Sequence, residues 1–179
     1  MKKRFFLIFA ALMVGELIFT SFKPYHITCN TTIAEPQNPV QLQEKKKRLE
    51  AMQKDIALGI NDIRDKKGLQ PLELKSEISR VAQIKGEDML AEQYYVHKSS
   101  RYGMPDEMLR KYNVKFSVSG ENIAWSGVFR STVQEVLDGW MDIKADRDNI
   151  LNPDFTKIGV GFAEDIGTRK YHWVVMFTD

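Results

Sequence analysis

Two apolar segments near the C-terminus constrain the fold of this chain more than any other feature of its sequence. Residues 158–162 and 171–177 are rich in β-branched and aromatic side chains and flank a turn around Gly167. Segments of this length and composition predict β-strands, and a short turn between them makes the pair antiparallel. The fold therefore contains a hairpin that the rest of the chain has to cover.

Helix-type periodicity dominates the chain before this hairpin. Apolar side chains recur every three or four residues over 49–63 and over 78–93, which predicts two amphipathic helices. Thr132 and Glu135 have the spacing of a capping box, which starts a further helix. Two more segments complete the order, a short helix over 105–112 and a strand over 116–125. The predicted order is helices, strand, helix, strands, without an internal repeat.

Charge and cysteine content exclude several classes of function. The 179 residues carry 26 basic and 24 acidic side chains, and the excess of basic residues lies in the first 50 positions. The remainder has no basic excess, whereas proteins that bind nucleic acid need a clustered basic face, so nucleic acid is excluded as a partner. Cys29 is the single cysteine of the sequence, which rules out an internal disulfide and a cysteine-based zinc site.

The first 23 residues predict export. Lys2, Lys3 and Arg4 precede an apolar run, which is the pattern of a signal peptide. Glu16 lies within that run and weakens the alternative of a retained membrane anchor, which nevertheless stays open. We expect an extracellular or cell-surface protein that contacts the membrane only through this segment.

Composition also separates a linker from a folded domain. Residues 24–41 are rich in Pro, Asn, Thr and Gln and show no periodicity, which predicts a linker. The periodic segments all fall within residues 42–179, which we interpret as one domain.

His97 and Glu121 are the first candidates for a functional site, although their spacing matches no metal or catalytic motif. From spacing alone, a solvated histidine in a loop and a glutamate in a turn are the simpler interpretations. The sequence contains no Gly-x-Ser-x-Gly elbow, no phosphate-binding loop and no paired-histidine zinc helix. Gly159 and Gly161 fall within a predicted strand, so they do not indicate a dinucleotide site.

A series of short motifs, however, resembles bacterial members of the CAP superfamily. These proteins are relatives of cysteine-rich secretory proteins, venom antigen 5 and plant pathogenesis-related proteins, and their common unit is also called the SCP-like extracellular domain. The resemblance covers roughly residues 54–179. The motifs, in chain order, are Asn61-Asp62-Ile63-Arg64, Gly68 to Leu72, Val81-Ala82-Gln83, Asp88-Met89, His97 with Ser99, Gly120 to Ala124, Trp140-Met141, Arg147 with Asn149 to Pro153, Phe155, Ile158 to Gly161 and Tyr171 to Phe177.

The resemblance implies an α/β fold, specifically a three-layer α-β-α sandwich with a central, mainly antiparallel sheet. It also implies a central cleft with two histidines and two acidic residues, able to hold a divalent cation. His97 matches the first histidine and Glu121 the acid of the Gly-Glu-Asn motif, but Asp146 stands at the position of the second histidine. Asp142 is the nearest match to the second acid, and Ile143 aligns equally well.

The aspartate at position 146 changes the expected metal chemistry. His97, Glu121 and Asp146 offer one nitrogen and several oxygens, whereas zinc prefers nitrogen and sulfur and harder cations prefer oxygen. We therefore expect no certain cofactor and at most a weakly bound divalent cation. Alternatively, no metal binds and Asp146 pairs with protonated His97, which raises the pKa of that histidine. His172 is expected to pack in the core rather than to act as a ligand.

Two functions follow from the resemblance. The first is a non-enzymatic extracellular binding module whose cleft, formed by His97, Glu121, Asp146 and Asp142, engages a cell-wall, lipid or protein ligand. The alternative is a secreted hydrolase in which His97 and Glu121 act as general acid and base. Binding is favoured because the hydrolase lacks a nucleophile unless Ser99, Ser100 or a metal-activated water supplies one.

Overall fold

The computed structural model describes residues 38–127, 132–165 and 167–179. The predicted export segment and residues 24–37 of the predicted linker lie outside these ranges. The first described helix already begins at Pro39, inside the stretch that the sequence assigns to the linker. Asn38 caps it, because its side-chain oxygen accepts from the backbone N–H of Val40 at 3.0 Å.

Nine elements make up the described chain. The helices are α1 (Pro39–Asp65), α2 (Ser76–Ala91), α3 (Pro105–Lys111), α4 (Val133–Asp142) and α5 (Lys144–Ile150). The strands are β1 (Glu73–Leu74), β2 (Ser119–Ser126), β3 (Lys157–Asp165) and β4 (Lys170–Thr178). Within the described residues, none of the helices has the length and apolar character needed to cross a membrane.

The four strands form one mixed sheet in the order β1-β3-β4-β2. Strands β3 and β4 form the antiparallel hairpin predicted from the sequence, and β2 pairs antiparallel with β4. The short strand β1 pairs parallel with β3, so the sheet is mainly but not purely antiparallel. Strand β2 therefore lies at one edge of the sheet, with β1 at the other.

Side chains alternate between the two faces of the sheet and supply two separate cores. Trp173, Val175 and Phe177 of β4 pack against α1 and α4, whereas Val174 and Met176 pack against α2 and α3. This alternation is what a strand covered on both faces by helices requires. The three-layer α-β-α sandwich implied by the resemblance is confirmed.

Helix α2 lies unusually close to β3, because two glycines face it. A Cβ atom added at Gly159 would lie 2.3 Å from the carbonyl carbon of Ile78, and one at Gly161 would lie 2.3 Å from that of Ala82. Both distances are far below any van der Waals contact, so only glycine fits at these positions. The glycines of β3 thus set how closely α2 packs on the sheet, and with it the position of the loop that follows α2.

Candidate functional site

The candidate site lies at the β2 edge, where the loop after α2 meets α5. Glu121 lies on β2, His97 on that loop, and Asp146 within α5. We refer to the site that these three residues form as the cleft. Residues from both helical layers thus converge on one strand, and the sequence separations within the cleft are bridged by the fold rather than by a motif.

His97 and Glu121 form a hydrogen-bonded pair. The Nδ1 atom of His97 lies 2.8 Å from Oε1 of Glu121. The glutamate side chain is only 2% exposed, whereas the histidine side chain is 50% exposed. Because Nδ1 is engaged by Glu121, a ligand of this half-exposed imidazole would contact its other ring nitrogen.

The electrostatics of this pair follow from its asymmetric burial. Hydrogen bonding to Glu121 raises the pKa of His97. The charges of Glu121 and Asp146 raise it as well, whereas burial lowers it. Burial raises the pKa of Glu121, although His97 and Lys85 oppose that shift. Both directions mean that the folded pair holds its proton more tightly than the separated side chains do.

Asp146 is held near this pair by an amide network between α5 and β2. Its backbone carbonyl accepts from Nδ2 of Asn122 at 2.9 Å, and Nδ2 of Asn149 donates to Oδ1 of Asn122 at 2.9 Å. Burial raises the pKa of the Asp146 carboxyl, and the charge of His97 opposes this effect. Asp146 therefore acts on His97 through its charge.

Asp142 does not join the three residues of the cleft. It is exposed at the end of α4, where its carbonyl oxygen accepts a long hydrogen bond of 3.5 Å from Arg147. In the part of the chain that the structure describes, nothing connects its carboxylate to His97 or Glu121.

The described residues of this region do not form an assembled set of metal ligands. Among the described residues, no group of three or more His, Cys, Asp or Glu side chains is placed to hold a metal ion. Nδ1 of His97 and Oε1 of Glu121 already bind each other. We therefore derive no chemistry from a bound cation, and weak cation binding at His97, Glu121 and Asp146 stays a prediction from the resemblance.

Lys85 of α2 is a supporting residue that the sequence analysis missed. Its buried Nζ donates to the carbonyl oxygens of Val96 at 2.8 Å and His97 at 2.7 Å, and to the Tyr94 hydroxyl at 3.2 Å. Burial lowers the pKa of Lys85, while the charges of Glu121 and Asp88 oppose that shift. These bonds fix the loop that carries His97, so Lys85 positions the imidazole.

Asp88, one turn further along α2, anchors the same loop. Its Oδ2 accepts from the Tyr94 hydroxyl at 2.5 Å and from Oγ of Ser99 at 2.7 Å. Ser99 is buried and committed to this bond, which removes it as a candidate nucleophile. A signal for both supports was present in the sequence, because Lys85 and Asp88 are charged residues on the apolar face of an amphipathic helix.

A groove of about 460 Å³ opens beside the pair. His97 and Glu121 form one wall, and the rest of the lining mixes serine hydroxyls and charged side chains with the apolar Met104, Pro105 and Phe116. Its lining residues are His97, Met104, Pro105, Asp106, Arg110, Phe116, Ser117, Ser119, Gly120 and Glu121.

His172 is a buried residue of β4 beside this region, and it is a packing residue. It is paired with Trp125 across β2 and β4, and its ring centroid lies 6.5 Å from that of Tyr95. Burial lowers the pKa of His172, which keeps the ring uncharged at neutral pH. Its Nδ1 atom has no hydrogen-bond partner among the described residues.

The pKa of His97 provides a direct test of the pair. We expect it to lie above the ordinary value of 6.5 and to fall in Glu121→Gln, because the amide removes the carboxylate charge. A raised pKa also means that stability from this pair is fully present below about pH 6.5 and is lost as the pH rises through the pKa of His97. Titration of the imidazole resonances by NMR measures both values.

His172 serves as the internal control for this titration, because it should titrate below 6.5 in both proteins. A wild-type pKa for His97 at or below 6.5, or an unchanged value in Glu121→Gln, would contradict the pairing.

Comparison with known proteins relates this architecture to one family. The model of the cysteine-rich secretory protein (CAP) family matches residues 59–177. The uncharacterised protein YkwD of Bacillus subtilis is 36% identical over 144 residues, which cover 79% of this chain and 51% of YkwD. The uncharacterised membrane protein YlbC of the same organism is 32% identical over 154 residues, covering 86% of this chain and 42% of YlbC. The chain thus spans about half the length of these relatives.

Solved structures show the same fold. An extracellular protein containing an SCP domain from Bacillus anthracis superposes with a TM-score of 0.68 and 26% identity, covering 80% of this chain and 44% of that protein. An outer surface protein of Borrelia burgdorferi superposes with a TM-score of 0.65 and 21% identity, over 70% of this chain and 90% of its own. Both neighbours are thus described as proteins of the cell exterior.

Proposed function

The chain belongs to the cysteine-rich secretory protein (CAP) family, and on that basis we propose that it is an extracellular module that binds polar material of the cell envelope. The observation that carries this proposal is the half-exposed His97, fixed by the buried Glu121 in the wall of a groove. An imidazole held in one orientation through one nitrogen is suited to recognise a polar ligand group through the other. The predicted export segment and the extracellular neighbours support a location outside the cell.

The groove favours a polar ligand over a lipid chain. Ser117 and Ser119 offer hydroxyls, and Asp106 and Arg110 add one charge of each sign. Met104, Pro105 and Phe116 add apolar surface, but an acyl chain would leave the charged and hydroxyl groups of the lining without partners. Cell-wall polymer is therefore the ligand class that fits best.

Co-sedimentation with purified peptidoglycan sacculi tests this function. We expect the purified protein to sediment with sacculi and to remain in solution with neutral or anionic lipid vesicles. Ser119→Trp should abolish sedimentation, because the indole fills the groove beside His97. Ser76→Trp is the matched control, since Ser76 is exposed beside β1 at the opposite edge of the sheet. Equal sedimentation of both variants would show that the groove is not the binding site.

One observation favours hydrolysis as a second candidate. An imidazole oriented by a buried carboxylate is the arrangement of a general base, and His97 meets that description. The same sacculi report on this alternative through the release of soluble fragments over time. Release by the wild type that is lost in His97→Ala would replace binding by hydrolysis, whereas we expect no release above the protein-free sample.

A further inference from the structure

Two exposed aromatic side chains stand together beside the cleft. Tyr95 is 41% exposed and Trp125 is 56% exposed. Their ring centroids lie 6.2 Å apart and their planes meet at 61°, which is an edge-to-face contact. We call this pair the aromatic platform. It leaves large apolar surface in water, so packing of the fold does not explain it.

The fold holds one of the two rings of the platform in place. The Tyr95 hydroxyl donates to the carbonyl oxygen of Ile123 at 2.8 Å, and the Tyr95 ring lies against His172. Trp125 belongs to β2, whose pairing with β4 fixes its backbone. Little side-chain entropy of Tyr95 is therefore lost when a ligand binds here.

Polar groups border the platform. Burial raises the pKa of Tyr95 to about 12, and the charges of Asp146 and Glu121 contribute, which places both acids close to the phenol. His97 follows two residues after Tyr95 on the same loop. Hydrogen-bonding side chains thus stand at the margin of an apolar stacking surface.

The charges that act on the platform are of both signs. Asp146 and Glu121 act on its phenol, whereas Lys170 acts on His172, the ring that this phenol side chain contacts. Lys85 adds a second positive charge beside Glu121. A cationic ligand would need an excess of negative charge beside the aromatic rings, and an anionic ligand would need the reverse. The mixed surroundings therefore favour an uncharged ligand.

We propose that the aromatic platform stacks against the pyranose rings of a neutral glycan. A pyranose presents an apolar face of C–H groups that packs on an indole, and hydroxyls at its margin that suit a carboxylate and an imidazole. Trp125 supplies the stacking face, while Asp146 and His97 supply the polar contacts. This inference rests on the proposed function and adds a glycan subsite beside the groove, since His97 borders both the groove and the platform.

Titration with chitotetraose, a soluble neutral oligosaccharide, tests the stacking. Trp125 is the only exposed tryptophan of the three, since Trp140 is 2% and Trp173 is 0% exposed, so a fluorescence change that is lost in Trp125→Ala reports on the platform. We expect a saturable fluorescence change in the wild type. By isothermal calorimetry, Trp125→Ala should raise the Kd at least tenfold, which corresponds to about 1.4 kcal/mol.

Two further variants make the calorimetry specific. Trp125→Phe keeps an aromatic face, so its Kd should stay within about threefold of the wild type. Leu58→Ala removes an apolar side chain of similar exposure from α1, 52% against 56%, and should leave the Kd unchanged. Binding by Trp125→Ala as tight as by the wild type, or no saturable change in the wild type, would overturn the proposal.

Sedimentation with sacculi distinguishes failure of the stacking proposal from failure of the proposed function. If sedimentation is blocked by Ser119→Trp but chitotetraose does not bind, the groove recognises a component other than the glycan, and only the stacking proposal falls. If the wild type does not sediment at all, the proposed function falls as well.

Discussion

Gly161→Ala is expected to destabilise the protein by about 3 kcal/mol, the upper end of the usual range for overpacking. A Cβ atom at this position would lie 2.3 Å from the carbonyl carbon and oxygen of Ala82 and 2.5 Å from the nitrogen of Gln83. These are backbone atoms of α2, so no side-chain rotation relieves the contact and the helix itself must move. Urea denaturation, with the midpoint and slope analysed together, measures the loss.

Gly139→Ala is the matched control for this substitution. Gly139 lies in α4 with no atom within 4 Å of an added Cβ, and alanine there should raise stability by about 0.5–1 kcal/mol. An unchanged denaturation midpoint for Gly161→Ala would contradict the close approach of α2 to β3.

Displacement of α2 should also reach the cleft, because Lys85 and Asp88 on that helix hold the loop of His97. The pKa of His97 in Gly161→Ala, measured at a temperature where the variant is folded, should therefore move toward its ordinary value. The glycines of β3 are in this sense part of the support of the site, although they lie far from it in sequence.

The elements that could be predicted from the sequence are those set by local patterns. Thr132 and Glu135 form the predicted capping box, with the Glu135 N–H bonding the Thr132 hydroxyl at 3.2 Å and the Thr132 N–H bonding the glutamate at 2.7 Å. The hairpin of β3 and β4 follows equally from composition and a short turn. Strand β1 was not predicted, because Glu73 and Leu74 show no periodicity and become a strand only by pairing with β3.

Only part of the candidate site could be predicted from the sequence. His97 and Glu121 came from the resemblance, since no spacing rule connects residues that meet through the fold. Lys85 was missed because a charge on an apolar helix face marks an unusual residue without naming its partners, and the fold alone brings two backbone carbonyls and the Tyr94 hydroxyl to it. The aromatic platform was not predicted because its role depends on the exposure of its two rings. A tryptophan at the end of a strand is more commonly buried.

Arg64 is the second position at which we expect a large effect. Its side chain is 1% exposed and donates to four carbonyl oxygens, from Nε to Gln70 at 2.8 Å, from Nη1 to Ile150 and Asn152 at 2.8 Å each, and from Nη2 to Phe155 at 3.4 Å. Burial lowers its pKa. The guanidinium thus ties the end of α1 to the segment between α5 and β3.

Arg64→Met should lower the free energy of unfolding by about 3–5 kcal/mol, because it removes all five N–H donors and leaves buried carbonyls without partners. Arg64→Lys should recover only part of this loss, since a single ammonium cannot span carbonyls that a planar guanidinium reaches together. Arg80→Met on the exposed face of α2 is the control, with an expected change within about 1 kcal/mol, because Arg80 contacts the Tyr112 ring but donates to no buried carbonyl. Urea denaturation of the three variants gives these values.

The order of the three variants decides whether Arg64 acts through its geometry or only through its charge. If Arg64→Lys is as stable as the wild type, a buried positive charge is sufficient and the four-carbonyl arrangement is irrelevant to stability. If Arg64→Met costs no more than Arg80→Met, the segment after α5 is held by other contacts. The expected order instead places the lysine variant between the other two, because each carbonyl that loses its donor adds its own desolvation penalty. Asp146 lies on α5, which ends where this segment begins, so the same guanidinium that stabilises the fold also fixes one side of the cleft.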